Sequence, residues 1–459
     1  MDTEASKKTG KAAREIVSRE DQGIWKAAPG RPDPTELLKS QGATRLQELL
    51  PLRYERMATS PFSFYRGAAL IMASDLSAMP NTGMNVQLCG DAHMANFGAF
   101  ASPSRRLVFD INDFDETLPG PWEWDIKRLV TSVEICGRDR GFSKKNRRKA
   151  VIATARKYRK AMNEFADMNA IDVWYANIDV LNMLRDIQKD IDKKTGKDLA
   201  QDLKKAYSKD STRAVTKLTH VVDGELRVVD MPPLVQSIRS LLPDSEVNAL
   251  NKQLDESMEK YAQTLSPEHY RLYKQYSIKD AGRKVVGVGS VGTRAWIVVL
   301  EGKDVNDHLV LQIKEAEDSV LERFLPKAEC EHHGQRIVAG QRMMQTSSDV
   351  MLGWVTNKAL DGKDHDFYVR QLWDWKTSTD LTTIGEEECK NLGKMCGWTL
   401  ARAHARSGNR FAISAYLGGG DDFDEAMGDF AEAYADQNEA DYARFVQARG
   451  NGELDVSAE

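Results

Sequence analysis

Polar and apolar positions along this chain change texture several times, and each change marks a structural boundary. Residues 1–35 are polar and small, carry no apolar stripe, and end in the turn-rich run Pro29-Gly-Arg-Pro-Asp-Pro34. They read as a mobile polar leader. Helical spacing follows over 36–50, and the Ser60-Pro61 start signal opens a helix over 62–76. Residues 85–89 form a short apolar strand that runs into Gly90-Asp91. A hairpin comes next: NFGAF, the turn ASPSRR, and LVFDIN with period-two alternation. Helical periodicity returns over 123–135 and continues, strongly charged, over 143–210. Within that span the Lys/Asp-rich stretch 189–197 reads as a solvated face or link.

A small hairpin around Asp223-Gly224 is expected over 218–229, and a further helix over 244–276. At Arg283 the texture becomes β-rich and glycine-punctuated, with strands on either side of Gly287-Val-Gly-Ser-Val-Gly292 and another at HLVLQIKEA. A helix broken at Pro326 is expected over 319–346, a strand over 366–372, and helices over 386–406 and 424–447. The pattern therefore predicts an α+β chain. Residues 36–282 form a helical large lobe that carries two loops within 85–125 and a helical insertion at 143–276. Residues 283–385 form a β-rich small lobe, and 386–459 are helices that complete the large lobe.

Composition narrows the class. The 459 residues are 41% hydrophobic and 29% charged, with a formal net charge of −5 and both signs interspersed. That balance makes no electrostatic case for a nucleic-acid or membrane partner. No apolar run approaches the roughly 18 residues of a membrane helix, and the N-terminus lacks the apolar centre of a signal peptide. Five scattered cysteines without a CxxC pair fit reduced thiols and a cytoplasmic location. Nothing in the pattern specifies an oligomeric state.

Two constellations carry chemistry. In the first, Leu88-Cys-Gly-Asp-Ala-His-Met-Ala-Asn-Phe97 sets Asp91 and Asn96 on a loop, and LVFDINDFDET sets Asp110, Asp113 and Asp115 at a strand end. Phosphoryl transfer asks little of a protein beyond a carboxylate to take the hydroxyl proton and oxygen ligands for magnesium. Asp91 suits the first role; Asn96 with Asp113, or with Asp110, suits the second. The plainer alternative is a hairpin that uses Asp and Asn as turn residues. Clustered carboxylates repel one another unless a cation joins them, which favours the metal reading.

In the second constellation, Gly287, Gly289, Ser290 and Gly292 lie between two strands. That setting argues against a dinucleotide fold, where a helix follows the glycines at once. It matches the hairpin that kinases lay over nucleotide phosphates, with a lysine on the next strand, here Lys314. Glu322 and Glu331 are both candidates to pair with that lysine. Arg294 reads as a solvated strand residue, and the 368–372 strand brings Arg370 and Gln371 near the expected nucleotide.

GDAHMANF followed by DFDET resembles the GDxHxxN…DFxD signature of aminoglycoside- and choline-kinase-like phosphotransferases. The resemblance implies that Asp91 is the base, that Asn96 and Asp113 bind metal, and that Asp125 of GPWEWD buttresses the loop. Cys89 stands where the common motif has histidine, and Asp115 where kinases often have glycine. GWTLARAH, ending at His404, resembles the helix preceding the catalytic loop. The parts appear in reversed order, which a circular permutation explains. Over most of its length, from SPFSFYRGAA (with Arg66) onward, the chain resembles the bacterial domain-of-unknown-function family 2252. The implied function is transfer of phosphoryl from Mg-ATP to an unidentified small-molecule or protein hydroxyl. A nucleotide-binding scaffold without turnover, or an adenylate transferase, are the alternatives.

Overall fold

A computed structural model describes residues 2–180, 211–222, 225–241, 243–285, 287–304, 306–359, 361–372 and 379–454. The charged stretch 189–197 and the turn at Asp223-Gly224 lie outside the described residues. The architecture is α+β: one half is mostly helical and the other is built on a sheet. No helix among the described residues is long and apolar enough to cross a membrane, and all five cysteines are free thiols.

Among the described residues there are thirteen short strands. The helical half carries β1 (Asn85–Leu88), β2 (Phe97–Ala101), β3 (Leu107–Ile111), β4 (Leu118–Pro121) and β5 (Ile178–Asp179). The sheet half carries β6 (Thr219–Val222), β7 (Glu225–Val228), β8 (Val235–Ser237), β9 (Ser277–Lys284), β10 (Ala295–Glu301), β11 (His308–Ala316), β12 (Gly353–Lys358) and β13 (Asp364–Gln371). The main sheet is antiparallel, in the order β12-β13-β11-β10-β9-β8.

Both faces of that sheet are covered. Leu311, Ile313, Val298 and Val369 face a core completed by Met258 and Tyr261 of the Asp244–Ala262 helix. Ile297, Val299 and Val310 face Val215, Leu218 and Val228. Residues from about 211 to 276 therefore belong with the sheet. This corrects the expected boundary at 283 and the assignment of this region to a large-lobe insertion. The strand β9, SIKDAGRK, is polar enough to hide its start, and only its centre is buried.

The helical half is organised by the Glu386–Ser407 helix, which opens on Glu386, Glu387 and Glu388, the last accepting from the Gly385 N–H at 3.0 Å. It crosses the Lys144–Asp167 helix closely. A Cβ at Gly397 would stand 2.5 Å from the Thr154 carbonyl oxygen, and one at Gly393 would stand 2.2 Å from Thr154 Oγ1. Glycine permits the approach, and the approach puts the C-terminal turn of the Glu386–Ser407 helix against the loop after β1.

The expected mobile leader is a correction. Asp2 caps a helix at Thr3–Ile16, which buries Ser6, Gly10 and Ala13 against the Arg410–Leu417 helix. A face of such small residues leaves no apolar stripe to read. Other differences are local. The 62–76 helix divides at Ala68, and the 319–346 span shortens to a single turn at Val320–Arg323 and a helix at His333–Met344.

Candidate functional site

A cleft of about 830 Å³ separates the two halves and is lined by Arg66, Asp91, Asn96, Asp113 and Asp115, with Gly287, Gly289 and Ser290 on the other side. It lies within the roughly 300–1,000 Å³ range of small-molecule sites.

The loop after β1 is held from beneath by one buried carboxylate. Asp125, in the first turn of the Glu123–Asp139 helix, accepts from the backbone N–H of Cys89 (2.8 Å) and of Gly90 (3.1 Å). His404 Nε2 reaches the same carboxylate at 3.3 Å, and Tyr158 fixes the other ring nitrogen at 2.8 Å. Gly90 takes φ +82, and a Cβ there would meet the Glu116 carbonyl oxygen at 2.3 Å. Cys89 contributes its backbone; burial pushes its thiol well above the usual range. The buttressing role that the resemblance implied for Asp125 has this physical form.

Asp91 ion-pairs with Arg128, whose Nη2 also donates to the Tyr65 carbonyl. Burial raises the Asp91 carboxyl to about 6, against the opposing pull of Arg128. His93 lies 3.5 Å from Asp91, but burial and the nearby Arg66 and Arg128 hold it well below its usual value, so it is neutral. Asn96 Nδ2 donates to the Asp91 carbonyl at 2.8 Å, leaving the amide oxygen as the group it can offer a ligand. The Asn112 N–H donates to the Asn96 carbonyl at 2.8 Å, tying this loop to the Asp113 loop.

Asp110 is a correction. It is buried on β3 and bound to Arg402 at 2.6 Å and to the Thr346 N–H at 3.1 Å, outside the cleft lining. A carboxylate already neutralised in the core is not free for a metal. Asp113 lines the cleft instead.

Lys314 also departs from expectation. Its ammonium pairs with Asp115, whose other oxygen accepts from Tyr368 at 2.9 Å; Ser290 Oγ reaches the same carboxylate at 3.1 Å. Burial alone would raise Asp115 and lower Lys314, but their attraction outweighs it and keeps both ionised. Neither Glu322 nor Glu331 is the partner. Glu322 lines the cleft but lies 3.9 Å from Arg336, and Glu331 is exposed. The helix His333–Met344 contains no acid at all. It supplies Arg336 instead, which donates to the carbonyls of Asp115 (2.9 Å), Thr117 (2.7 Å) and Glu317 (2.8 Å). The acid that meets Lys314 comes from the loop after β3, and the helix after the lysine strand contributes a base.

The glycine-rich loop is gripped through its carbonyls. Arg45 Nη1 donates to Gly289 (2.7 Å) and Val291, Arg56 donates to Gly287, and the Leu46 N–H donates to Gly292 (2.8 Å). Gly292, at φ +95, is a turn residue packed on Arg45 rather than part of the lining.

Arg370 shares the Lys314 face of the sheet, since Lys314 pairs with Tyr368 and Gln312 with Arg370. It bonds Gln312 (3.1 Å) and the Asn112 carbonyl (3.2 Å). Gln371 pairs with Leu311 on the opposite face and is bound to Asp349 at 2.7 Å. That placement corrects its assignment to the nucleotide site. Arg294 is likewise engaged, with Glu315 at 2.9 Å and Asp361 at 2.6 Å. Arg128 and Arg336 had no motif to announce them.

Residues 45–448 match a family described as "Uncharacterized protein conserved in bacteria (DUF2252)". The chain belongs to that family. The match runs from Arg45, which grips the glycine-rich loop, past the helix that ends near His404, and takes in Asp91, Asn96, Asp113, Asp115 and the glycine-rich loop; of the cleft lining, Gln41 and Thr44 precede it. Comparison with curated proteins and with solved structures finds no match.

Proposed function

We propose that this DUF2252 protein is a magnesium- and ATP-dependent phosphotransferase of kinase-like, circularly permuted, two-lobed build, acting on the hydroxyl of an unidentified acceptor. The observation that carries the reading is the Asp115 carboxylate. It lines the same cleft as Asp91, Asn96 and Asp113, accepts from Ser290 of the glycine-rich loop, and pairs with Lys314, which is buried behind the cleft lining. A glycine hairpin, a lysine strand and a helix, in that order, are the parts by which kinases hold phosphates.

The residues suit the implied ligands. Asn96 and Asp113 offer the oxygen donors that magnesium prefers. Arg66 lines the cleft, feels both Asp91 and Asp113, and has a buried, unpartnered Nε. A buried donor without an acceptor is costly, and an anionic group would satisfy it. When bound, Mg-ATP supplies the phosphoryl group and spreads its charge. Asp91 takes the proton of the acceptor hydroxyl, with Arg128 fixing the carboxylate's orientation.

A second reading is favoured by one observation: Lys314 is engaged by Asp115 rather than by an acid on the following helix. A nucleotide-binding scaffold, or transfer of adenylate, would use the same residues. Incubation of the protein and a metabolite extract with γ- or α-labelled ATP separates the readings. Label transferred only from the γ position supports phosphotransfer, and label from the α position supports adenylyl transfer. Stabilisation by Mg-ATP without transfer leaves the scaffold. A melting curve unmoved by Mg-ATP removes nucleotide binding altogether, since ligand at a hundredfold its Kd should add about 2.7 kcal/mol.

A further inference from the structure

On the sheet side of the cleft, the segment after β11 and the first turn of the His333–Met344 helix bring Asp318, Glu322 and His333 together. One ligand atom from each lies within 4.8 Å of the others. Glu322 is the telling member. Its side chain is 5% exposed, yet its Oε1 is buried without a hydrogen bond. Its one ion-pair contact among the described residues is Arg336 Nε at 3.9 Å, beyond hydrogen-bonding reach. Leaving a carboxylate oxygen buried in this way is costly unless a cation completes it. His333 adds a second open position, because its Nδ1 is also buried and unpartnered, while its Nε2 lies 3.5 Å from Asp318.

The backbone around the cluster is already fixed. The Glu322 N–H donates to the Ser319 carbonyl at 2.9 Å, Ser319 Oγ donates to the Glu116 carbonyl at 2.9 Å, and the His333 N–H donates to Asp366 at 2.8 Å. Ligand atoms around a tetrahedral zinc ion stand about 3.3 Å apart, so the set must close a little. Asp318, with 63% of its side chain exposed, is free to swing inward.

We propose that Asp318, Glu322 and His333 form a binding site for a divalent transition-metal ion, Mn²⁺ or Zn²⁺. One imidazole and two carboxylates suit these ions better than magnesium, which prefers oxygen alone. The site is separate from the Asp91, Asn96 and Asp113 set and does not rest on the phosphotransferase reading. Its structural effect is to pin the segment after Lys314 to the helix that carries Arg336, and through Arg336 to the Asp115 loop.

The test uses the full chain, stripped of metal and free of nucleotide. It is titrated with Mn²⁺ followed by electron paramagnetic resonance, and with Zn²⁺ followed by calorimetry. One ion per chain should bind in a manner insensitive to Asp113→Asn, with nitrogen coupling in the Mn²⁺ echo spectrum, or at matching stoichiometry for Zn²⁺. Asp318→Asn, at an exposed position that does not threaten folding, should weaken binding about tenfold or more. His333→Ala should remove the nitrogen coupling; if that variant fails to fold, the loss of affinity in Asp318→Asn decides the matter. Absence of stoichiometric binding overturns the proposal, as does binding lost in Asp113→Asn but kept in Asp318→Asn.

Discussion

The two loops that face each other across the cleft are held by opposite chemistry. The loop at 89–96 gives up its backbone N–H groups: Cys89 and Gly90 donate to Asp125, which His404 and Tyr158 orient. What it presents to the cleft is side chains, Asp91 and Asn96. The glycine-rich loop gives up its carbonyls, at Gly287, Gly289, Val291 and Gly292, to Arg56, Arg45 and the Leu46 amide. With few side chains and its carbonyls engaged, what it can present is N–H. Under the proposed phosphotransfer, one loop would serve a proton and a cation, the other an anion.

The proposed chemistry makes this contrast breakable. Asp91→Asn removes the base but no backbone support, so turnover should fall about 10²–10⁴-fold with Mg-ATP affinity nearly unchanged. Full turnover in that variant, measured with γ-labelled ATP, would assign the base elsewhere. Because Asp91 acts ionised and titrates at about 6, kcat/KM should fall roughly tenfold per pH unit below 6 and be flat above it. A profile without a break near pH 6 would count against Asp91.

Lys314→Met strands the Asp115 carboxylate in the cleft wall and should cost about 3–5 kcal/mol in denaturant unfolding. Adding Asp115→Asn should restore part of that loss; strict additivity of the two would mean the pair is not coupled. His404→Phe takes one partner from Asp125 and should cost about 1–3 kcal/mol, lowering turnover more than nucleotide affinity. Arg45→Ala loosens only the opposite loop, and should weaken Mg-ATP binding about tenfold, or 1.4 kcal/mol, with kcat little changed. If these last two variants gave the same kinetic signature, the division of labour between the loops would be wrong.

Much of the site is legible in the sequence, because turns and strand ends betray themselves through glycine, aspartate and apolar alternation. The β2/β3 hairpin, β1 and the Glu123–Asp139 helix lie where their periodicity puts them. All five residues of β3 are buried, however, since both of its faces are covered, and alternation in its sequence does not mean one wet side. Illegible features depend on distant partners. Asp110 and Asp113 look equivalent three residues apart, and partners far along the chain, Arg402 and the Thr346 N–H, distinguish them. Glu322 resembles a partner for Lys314 only if a long helix begins near 319. That segment makes one short turn, and the acid that meets the lysine lies in the DFDET run.

The distance between Asp125 and His404, and between Asp110 and Arg402, also has a meaning in time. These buried pairs are separated by 279 and 292 residues. At roughly 5–20 residues/s of synthesis, the early carboxylates leave the ribosome about 15–60 s before their partners exist. The sheet half, encoded between them, emerges complete in that interval. By then the sheet half is fully synthesised, while the apolar helices of the other half still lack the C-terminal segment they pack against. Truncation before residue 404 would leave that helical half without its closing helix, and the wait is an opening for chaperones.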